Sequence, residues 1–189
     1  MTCLKPRLRG GCTRTLPDVT EGTMNIAPSV QDYLAERQIG YELQAHARTA
    51  SSLDTSRVAH VPPSRLAKAV VLKDESGYFV AALPSCNHIA GGKLGKARHR
   101  PAPRLATEWE VATLFADCDY GAVPPVGEPY GLPLIVDAAL DAEPEVFFEA
   151  GDHEHLVHMT HGEFFRLTAD APRAHFTRPT EKEDRPWMH

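Results

Sequence analysis

Leu66-Ala67-Lys68-Ala69-Val70-Val71-Leu72-Lys73 is the stretch on which the reading of this chain turns. It reads as a β-strand. Alternation puts Leu66, Lys68, Val70 and Leu72 on one face. Three of those four are large aliphatics, so that face is the expected core side, and Lys68 is out of place on it. A lysine in such a position must snorkel out, find a partner or line a cavity. The plainer alternative is a lysine at the rim of the sheet, its stem packed and its amine wet.

Outward from this strand, Asp74-Glu75-Ser76-Gly77 reads as a turn and Tyr78 to Leu83 as a second strand, together a hairpin. Upstream, Ser29 with Asp32 starts a helix carrying Val30, Tyr33 and Leu34, and Gly40 ends it. Tyr41 to Ala47 reads as a strand. Ser51 or Ser52 caps a short helix that stops before Pro62-Pro63. Downstream, residues 85 to 98 read as a helix despite Gly91, Gly92 and Gly95. Thr107-Glu108-Trp109-Glu110 is a capping box leading into Val111, Leu114 and Phe115. Leu132 to Asp137, Glu145 to Glu149 and His155 to Met159 read as short strands. Thr160 and Glu163 form a second capping box, before Phe164, Phe165 and Leu167. The order lacks a βαβ rhythm, which favours α+β with a curved mixed sheet over a doubly wound fold.

The 189 residues suffice for one domain with a sizeable core. A hydrophobic share of 42% with 24% charged residues is ordinary for a globular protein. The net charge of -5 gives no global basic field, so any nucleic-acid contact must be local. Cys3, Cys12, Cys86 and Cys118 are widely spaced without a CxxC, which points to reduced thiols in a cytoplasm. Apolar runs are too short to span a membrane, and residues 1–23 carry basic residues without the apolar stretch of a signal peptide. The expected organisation is an extension over 1–23, or a start at Met24, then one domain over 24–171 and a proline- and charge-rich tail over 172–189.

Besides Lys68, several stretches are candidates for chemistry. Gly121-Ala122-Val123-Pro124-Pro125-Val126-Gly127 pairs stiffening prolines with permissive glycines and suits a loop that fixes backbone N–H groups toward a carbonyl or oxyanion; otherwise it is a rigid turn. Gly151-Asp152-His153 reads as a pocket corner. The histidines 153, 155, 158 and 161 suggest metal by number, but their spacing argues against a compact site, and no HExxH is present. Lys93, Lys96, Arg98, His99, Arg100 and Arg104 form a local positive run suited to a phosphate backbone, or a solvated helix face. His46 closes the first strand. No nucleophilic triad, Walker or dinucleotide-binding glycine pattern is present, and nothing marks Cys86 or Cys118 as activated.

Taken in order, these pieces resemble the YbaK family, the aminoacyl-tRNA editing domain also found inserted in bacterial prolyl-tRNA synthetases. His46 to Ala50 resembles its histidine-containing first strand, and Ala67-Lys68-Ala69-Val70-Val71-Leu72 its K-T-L-V strand. Gly121 to Gly127 resembles its G-x-x-x-P loop, and Phe148-Glu149-Ala150-Gly151-Asp152-His153 the segment closing the pocket. The similarity spans roughly residues 26 to 168. Ala69 replaces the common threonine and Ala122 the second loop glycine, changes that bear on amino-acid specificity.

The resemblance implies a barrel-like mixed sheet surrounded by helices and a free-standing hydrolase that cleaves the ester of mischarged aminoacyl-tRNA, without cofactor or metal. Lys68 would be the catalytic electrostatic clamp. His46, Gly121, Ala122, Val123, Pro124, Pro125, Gly151, Asp152 and His153 would bind substrate, and Lys93, Lys96, Arg98, Arg100 and Arg104 would contact the tRNA. The implied partners are the 3′ end and acceptor stem of aminoacyl-tRNA and an aminoacyl-tRNA synthetase, with neither membrane nor DNA. Two alternatives stay open: a non-catalytic aminoacyl or tRNA-binding module of the same fold, and a metal-dependent hydrolase built on the histidines between 153 and 161.

Overall fold

The computed structural model describes residues 26–180. Helix α1 (Pro28–Glu36), strand β1 (Glu42–Ala45) and helix α2 (Ser52–Val58) lead into the hairpin of β2 (Leu66–Asp74) and β3 (Gly77–Pro84). Strand β4 (Asn87–Ile89), helix α3 (Gly91–Ala97), strand β5 (Arg104–Leu105) and helix α4 (Glu108–Leu114) follow. Strands β6 (Leu134–Asp137), β7 (Glu145–Glu149) and β8 (His155–Thr160), helix α5 (His161–Leu167), and strands β9 (Arg173–Ala174) and β10 (Thr177–Pro179) complete the order.

The hairpin pairs without interruption from Ala67↔Pro84 to Asp74↔Gly77. Its turn works because Gly77 sits at a φ of 113°, while the Asp74 carboxylate accepts the Ser76 amide at 2.8 Å. Around it the main sheet runs β1-β8-β7-β2-β3-β6-β9, with β5 added to β2. The β2–β7, β3–β6 and β6–β9 pairs are parallel and the others antiparallel, so the sheet is mixed, as expected for an α+β chain. Its order is a path whose ends, β1 and β9, do not pair, which differs from the expected barrel-like closure.

Both faces of the central strands are covered. Ala67, Ala82, Val136, Val146, Phe148 and Val157 pack against Val30 and Leu34 of α1 and Phe164 and Leu167 of α5. On the other face Leu72, Phe79, Ala81, Leu83 and Ile135 meet Leu94 of α3 and Phe176. Double burial explains why β3, GYFVAALP, is apolar almost throughout instead of alternating.

Caps explain several boundaries. Ser51 accepts the Asp54 amide at the start of α2, and the Thr107–Glu110 capping box opens α4. Three expectations differ. Helix α1 starts from Ala27 with Pro28 in its first turn, and the Ser29 amide donates to Asp117 instead of Ser29 capping the helix; its end precedes Gly40, with Gln38 at a φ of 52°. Residues 85 to 98 are not one helix. Asn87–Ile89 pairs with Thr177–Pro179, so tertiary strand pairing overrides local pattern there and the helix begins at Gly91. Residues 173–179, expected in a tail, supply two strands, and Phe176 between them is fully buried, its amide donating to Asp137 at 3.0 Å. The rest of that expected tail, 181–189, and the expected extension 1–23 lie outside the described residues. No described helix is long and apolar enough to cross a membrane.

Phe176→Ala is therefore expected to cost about 3–5 kcal/mol in denaturant unfolding, the range for a buried phenylalanine. A cost near zero would show that these last strands are dispensable.

Candidate functional site

Lys68 stands opposite Leu83 in the hairpin, with Leu66, Val70 and Leu72 on the same face. It is half-buried, and its Nζ donates to the Ser85 carbonyl at 2.9 Å. The stem and amine line a cavity of about 470 Å³ with Val70, Leu72, Leu83, Ile89, Pro103 and Leu105, to which Asn87, His88 and Gly91 add the remaining wall. No carboxylate among the described residues forms an ion pair with it. Burial pulls the amine below its ordinary pKa, and only the neighbouring Cys86 opposes that shift. An ammonium with donors to spare in an aliphatic cavity is a site for an anionic or strongly polarised oxygen.

That downward shift has a sign that can be checked. Lys68 loses its charge at a pH below the ordinary lysine value of 10.5, so any anion held by it is released as pH rises through the lowered pKa. Lys68→Arg keeps its charge throughout and should lack this alkaline loss. Anion affinity titrated against pH checks it; identical profiles for the two proteins would refute the assignment.

The loop from Gly121 to Gly127 is fixed by packing and by backbone geometry. Gly121 has a φ of 90°, and a Cβ there would lie 3.3 Å from the His153 ring. Ala122, Pro124, Pro125 and Val126 are buried. Val123 packs with Val71, Val80 and Phe115 beside Ala69, and Val126 joins the cluster of Ala67 and Ala82. Those strand residues alternate with Lys68, so the loop covers the opposite sheet face, and none of its residues lines the Lys68 cavity. Lys68 and the loop are not brought into contact. The nearest break in the sheet is where the β2–β7 ladder stops at Ala67↔Phe148; Lys68 and Glu149 are the next residues on the two strands, on one face. The Ala122 amide is used by the Asp119 carbonyl at 3.1 Å. Gly121 and Val123 keep amides without a hydrogen-bond partner among the described residues.

The loop is brought together with His46, Gly151, Asp152 and His153. Gly151, at a φ of 117°, accepts the Asp119 amide at 2.7 Å. His153 holds a φ of 61° and its Nε2 donates to the Tyr120 carbonyl at 2.6 Å. Asp152 accepts the amides of Glu154 and His155 and contacts the His155 ring at 2.5 Å. The His46 amide donates to Glu154 at 2.8 Å, and its ring is enclosed beside Glu149. Arg48 ties this corner to Asp119 at 2.9 Å.

The other histidines disperse. His155 turns to Asp152, His158 stacks on Phe147 between Glu145 and Glu42, and His161 starts α5. No three of the described His, Cys, Asp and Glu residues are grouped as metal ligands.

The basic run also divides. Arg98 is held by Asp74 at 3.0 Å with its guanidinium 3.6 Å over the Phe79 ring, and Arg104 is paired with Glu110 at 2.7 Å. Lys93 reaches the Thr177 carbonyl at 3.4 Å, while Lys96 and Arg100 are exposed. Cys118 contacts the Tyr130 hydroxyl, and burial pushes its thiol up to about 11, which keeps it from being a ready thiolate.

Sequence reasoning missed Ser85, Thr55, Arg48 and the role of Glu149. Glu149 carried a readable signal, an acid alternating with Phe147 on a buried strand. The Ser85 carbonyl carried none, since any residue supplies one.

The sequence model of the aminoacyl-tRNA editing domain matches residues 46–167. Among solved structures, a candidate trans-editing enzyme for prolyl tRNA synthetase superposes with a TM-score of 0.71 at 27% identity, covering 83% of this chain and 99% of that one. A scaffold from work on epitope backbone grafting by computational design gives 0.70 at 27% identity, covering 80% and 97%. The hypothetical protein APE2540 gives 0.71 at 22% identity, covering 79% and 99%, a likeness of fold. A search of curated proteins returned no match.

Proposed function

Because the chain belongs to the aminoacyl-tRNA editing domain family, we propose that it acts in trans as a hydrolase of mischarged aminoacyl-tRNA, cleaving the ester that joins the amino acid to the 3′-terminal ribose. One observation carries the chemistry: the half-buried Lys68 ammonium, held by a single carbonyl and facing an aliphatic cavity. An aminoacyl ester is already activated, so positioning and oxyanion stabilisation suffice without a protein nucleophile. In this reading Lys68 clamps the 3′-terminal phosphate or the aminoacyl carbonyl. The loop lies across the sheet from Lys68, so its open amides at Gly121 and Val123 hold a part of the substrate that passes the end of the β2–β7 ladder at Ala67↔Phe148, with Gly151, Asp152 and His153 beside them. Water adds to the carbonyl carbon, the carbon–oxygen ester bond breaks, and the departing ribose oxygen takes the proton.

The likeness to a candidate trans-editing enzyme for prolyl tRNA synthetase supports starting with mischarged tRNA for proline, and with that synthetase as a partner. The site of action is then the cytoplasm, where tRNA is charged. The test is a panel of mischarged tRNAs. At least one is expected to be deacylated well above its rate in buffer. A panel left wholly intact, while tRNA still binds, would replace this reading with the non-catalytic module.

Tracking of the acceptor stem falls to the outward basic residues. Since Lys96 and Arg100 are exposed and Arg98 is engaged by Asp74, neutralising the first two should weaken tRNA binding and lower the slope of log K against log salt by roughly 2, about 0.9 per lost phosphate contact. An unchanged slope would remove this surface from the interface.

A further inference from the structure

Two buried polar atoms face each other without partners in the corner behind the loop. The His46 side chain is 0% exposed and that of Glu149 is 8% exposed. His46 Nε2 and Glu149 Oε2 are both buried and unbonded, 3.9 Å apart. Their other atoms are engaged. His46 Nδ1 lies 2.9 Å from the Ala47 carbonyl, and a carbonyl only accepts, so Nδ1 carries a hydrogen. Glu149 Oε1 accepts from the Thr55 hydroxyl at 2.8 Å.

With the hydrogen fixed on Nδ1, a neutral imidazole presents a bare lone pair at Nε2. An ionised Glu149 presents another at Oε2. Two buried acceptors facing one another without a donor are unfavourable for both groups. One proton between them resolves this, as imidazolium with carboxylate or as imidazole with carboxylic acid. A shift of about 1 Å brings the atoms into hydrogen-bond contact. Burial pushes the Glu149 carboxyl above its ordinary range, while Thr55, His46 and His153 pull it back and Asp152 adds to the rise.

We propose that His46 and Glu149 share one proton and act as a positioning latch that sets the loop at Gly121. The latch sits where three segments meet. His46 is bonded through its amide to Glu154, and Arg48 bonds Asp119 and the Asp152 carbonyl. Asp119 bonds Gly151, and His153 bonds Tyr120, the residue before Gly121. Glu149 is therefore a positioning residue for the site, acting through His46 without touching substrate. The proposal rests on the editing reading only for what the loop holds; the latch itself is a property of the fold.

The test uses the full chain. Nitrogen-15 spectra of the histidine rings, with His46 assigned by loss of its signals in His46→Gln, should show Nδ1 protonated and Nε2 hydrogen-bonded at neutral pH. Glu149→Gln supplies an amide donor to Nε2 and should keep slow exchange at the His46 and Asp119 amides. Glu149→Leu, of similar volume, should speed exchange at those amides by about tenfold or more. If Glu149→Leu deacylates tRNA, its KM should rise with kcat less affected. His46 with Nε2 protonated and Nδ1 bare would overturn the latch. So would unchanged exchange in Glu149→Leu, or exchange in Glu149→Gln as fast as in a disrupted loop. Should Glu149→Leu fail to fold, the tautomer and the Glu149→Gln exchange still decide. None of these spectra needs substrate, so a latch that stands while every mischarged tRNA survives would locate the failure in the editing reading.

Discussion

Lys68→Ala is expected to lower deacylation by about 10²–10³-fold, the loss seen when one oxyanion-stabilising donor is removed. The direction follows from the setting of the amine. Its cavity is aliphatic on most sides, the nearest described partner is a carbonyl, and no carboxylate competes for the charge. Substitution removes a charge whose burial the fold already disfavours, so cooperative unfolding should survive with the melting temperature within a few degrees of the parent. The measurement is single-turnover deacylation on whichever tRNA the parent protein hydrolyses, with a thermal melt alongside. Full activity in a folded Lys68→Ala would end the role assigned to this residue.

Gly127→Ala should be the most damaging single methyl in the loop. A Cβ at Gly127 would lie 2.3 Å from the Leu132 carbonyl oxygen and 3.2 Å from its carbon, and backbone cannot swing aside as a flexible side chain can. The same residue's own carbonyl accepts the amides of Tyr130 and Leu132, both at 3.0 Å, so the clash falls on a turn closed by two hydrogen bonds. A cost of about 3 kcal/mol, the upper part of the overpacking range, is expected in denaturant unfolding. Val126 next to it belongs to the main core, so the damage should reach the sheet and not stay local. Stability equal to that of the parent protein would mean that the turn is far softer than its contacts indicate.

Much of the fold was legible because burial leaves a period in the sequence. The β2–β3 hairpin, the α4 capping box and the placement of Lys68 among Leu66, Val70 and Leu72 follow from alternation and side-chain chemistry alone. Asn87–Ile89 and Arg173–Pro179 were not legible, because short edge strands owe their state to a partner far along the chain. Phe176 was the available hint, a lone aromatic among prolines and charges. In the site, the grouping of His46, Gly121 and Gly151–His153 agrees with their order along the chain, yet the separation of Lys68 from the loop by a sheet face depends on parity in two segments and could not be read from motifs. Arg98 and Arg104 illustrate the same gap: a basic run looks uniform in sequence until Asp74 and Glu110 claim two of its members.

The parallel join of Leu66 to Phe147 bears on how the polypeptide emerges from a ribosome. The hairpin is complete long before its neighbour on that side exists. At 5–20 residues per second, the roughly 60 residues from Pro84 to Glu145 take on the order of 3–12 s to make. For that interval the β2 edge at Leu66 and Ala67 is open, since β5 covers only Leu72 and Lys73, and nascent-chain chaperones have a defined target and a defined window in which to hold it.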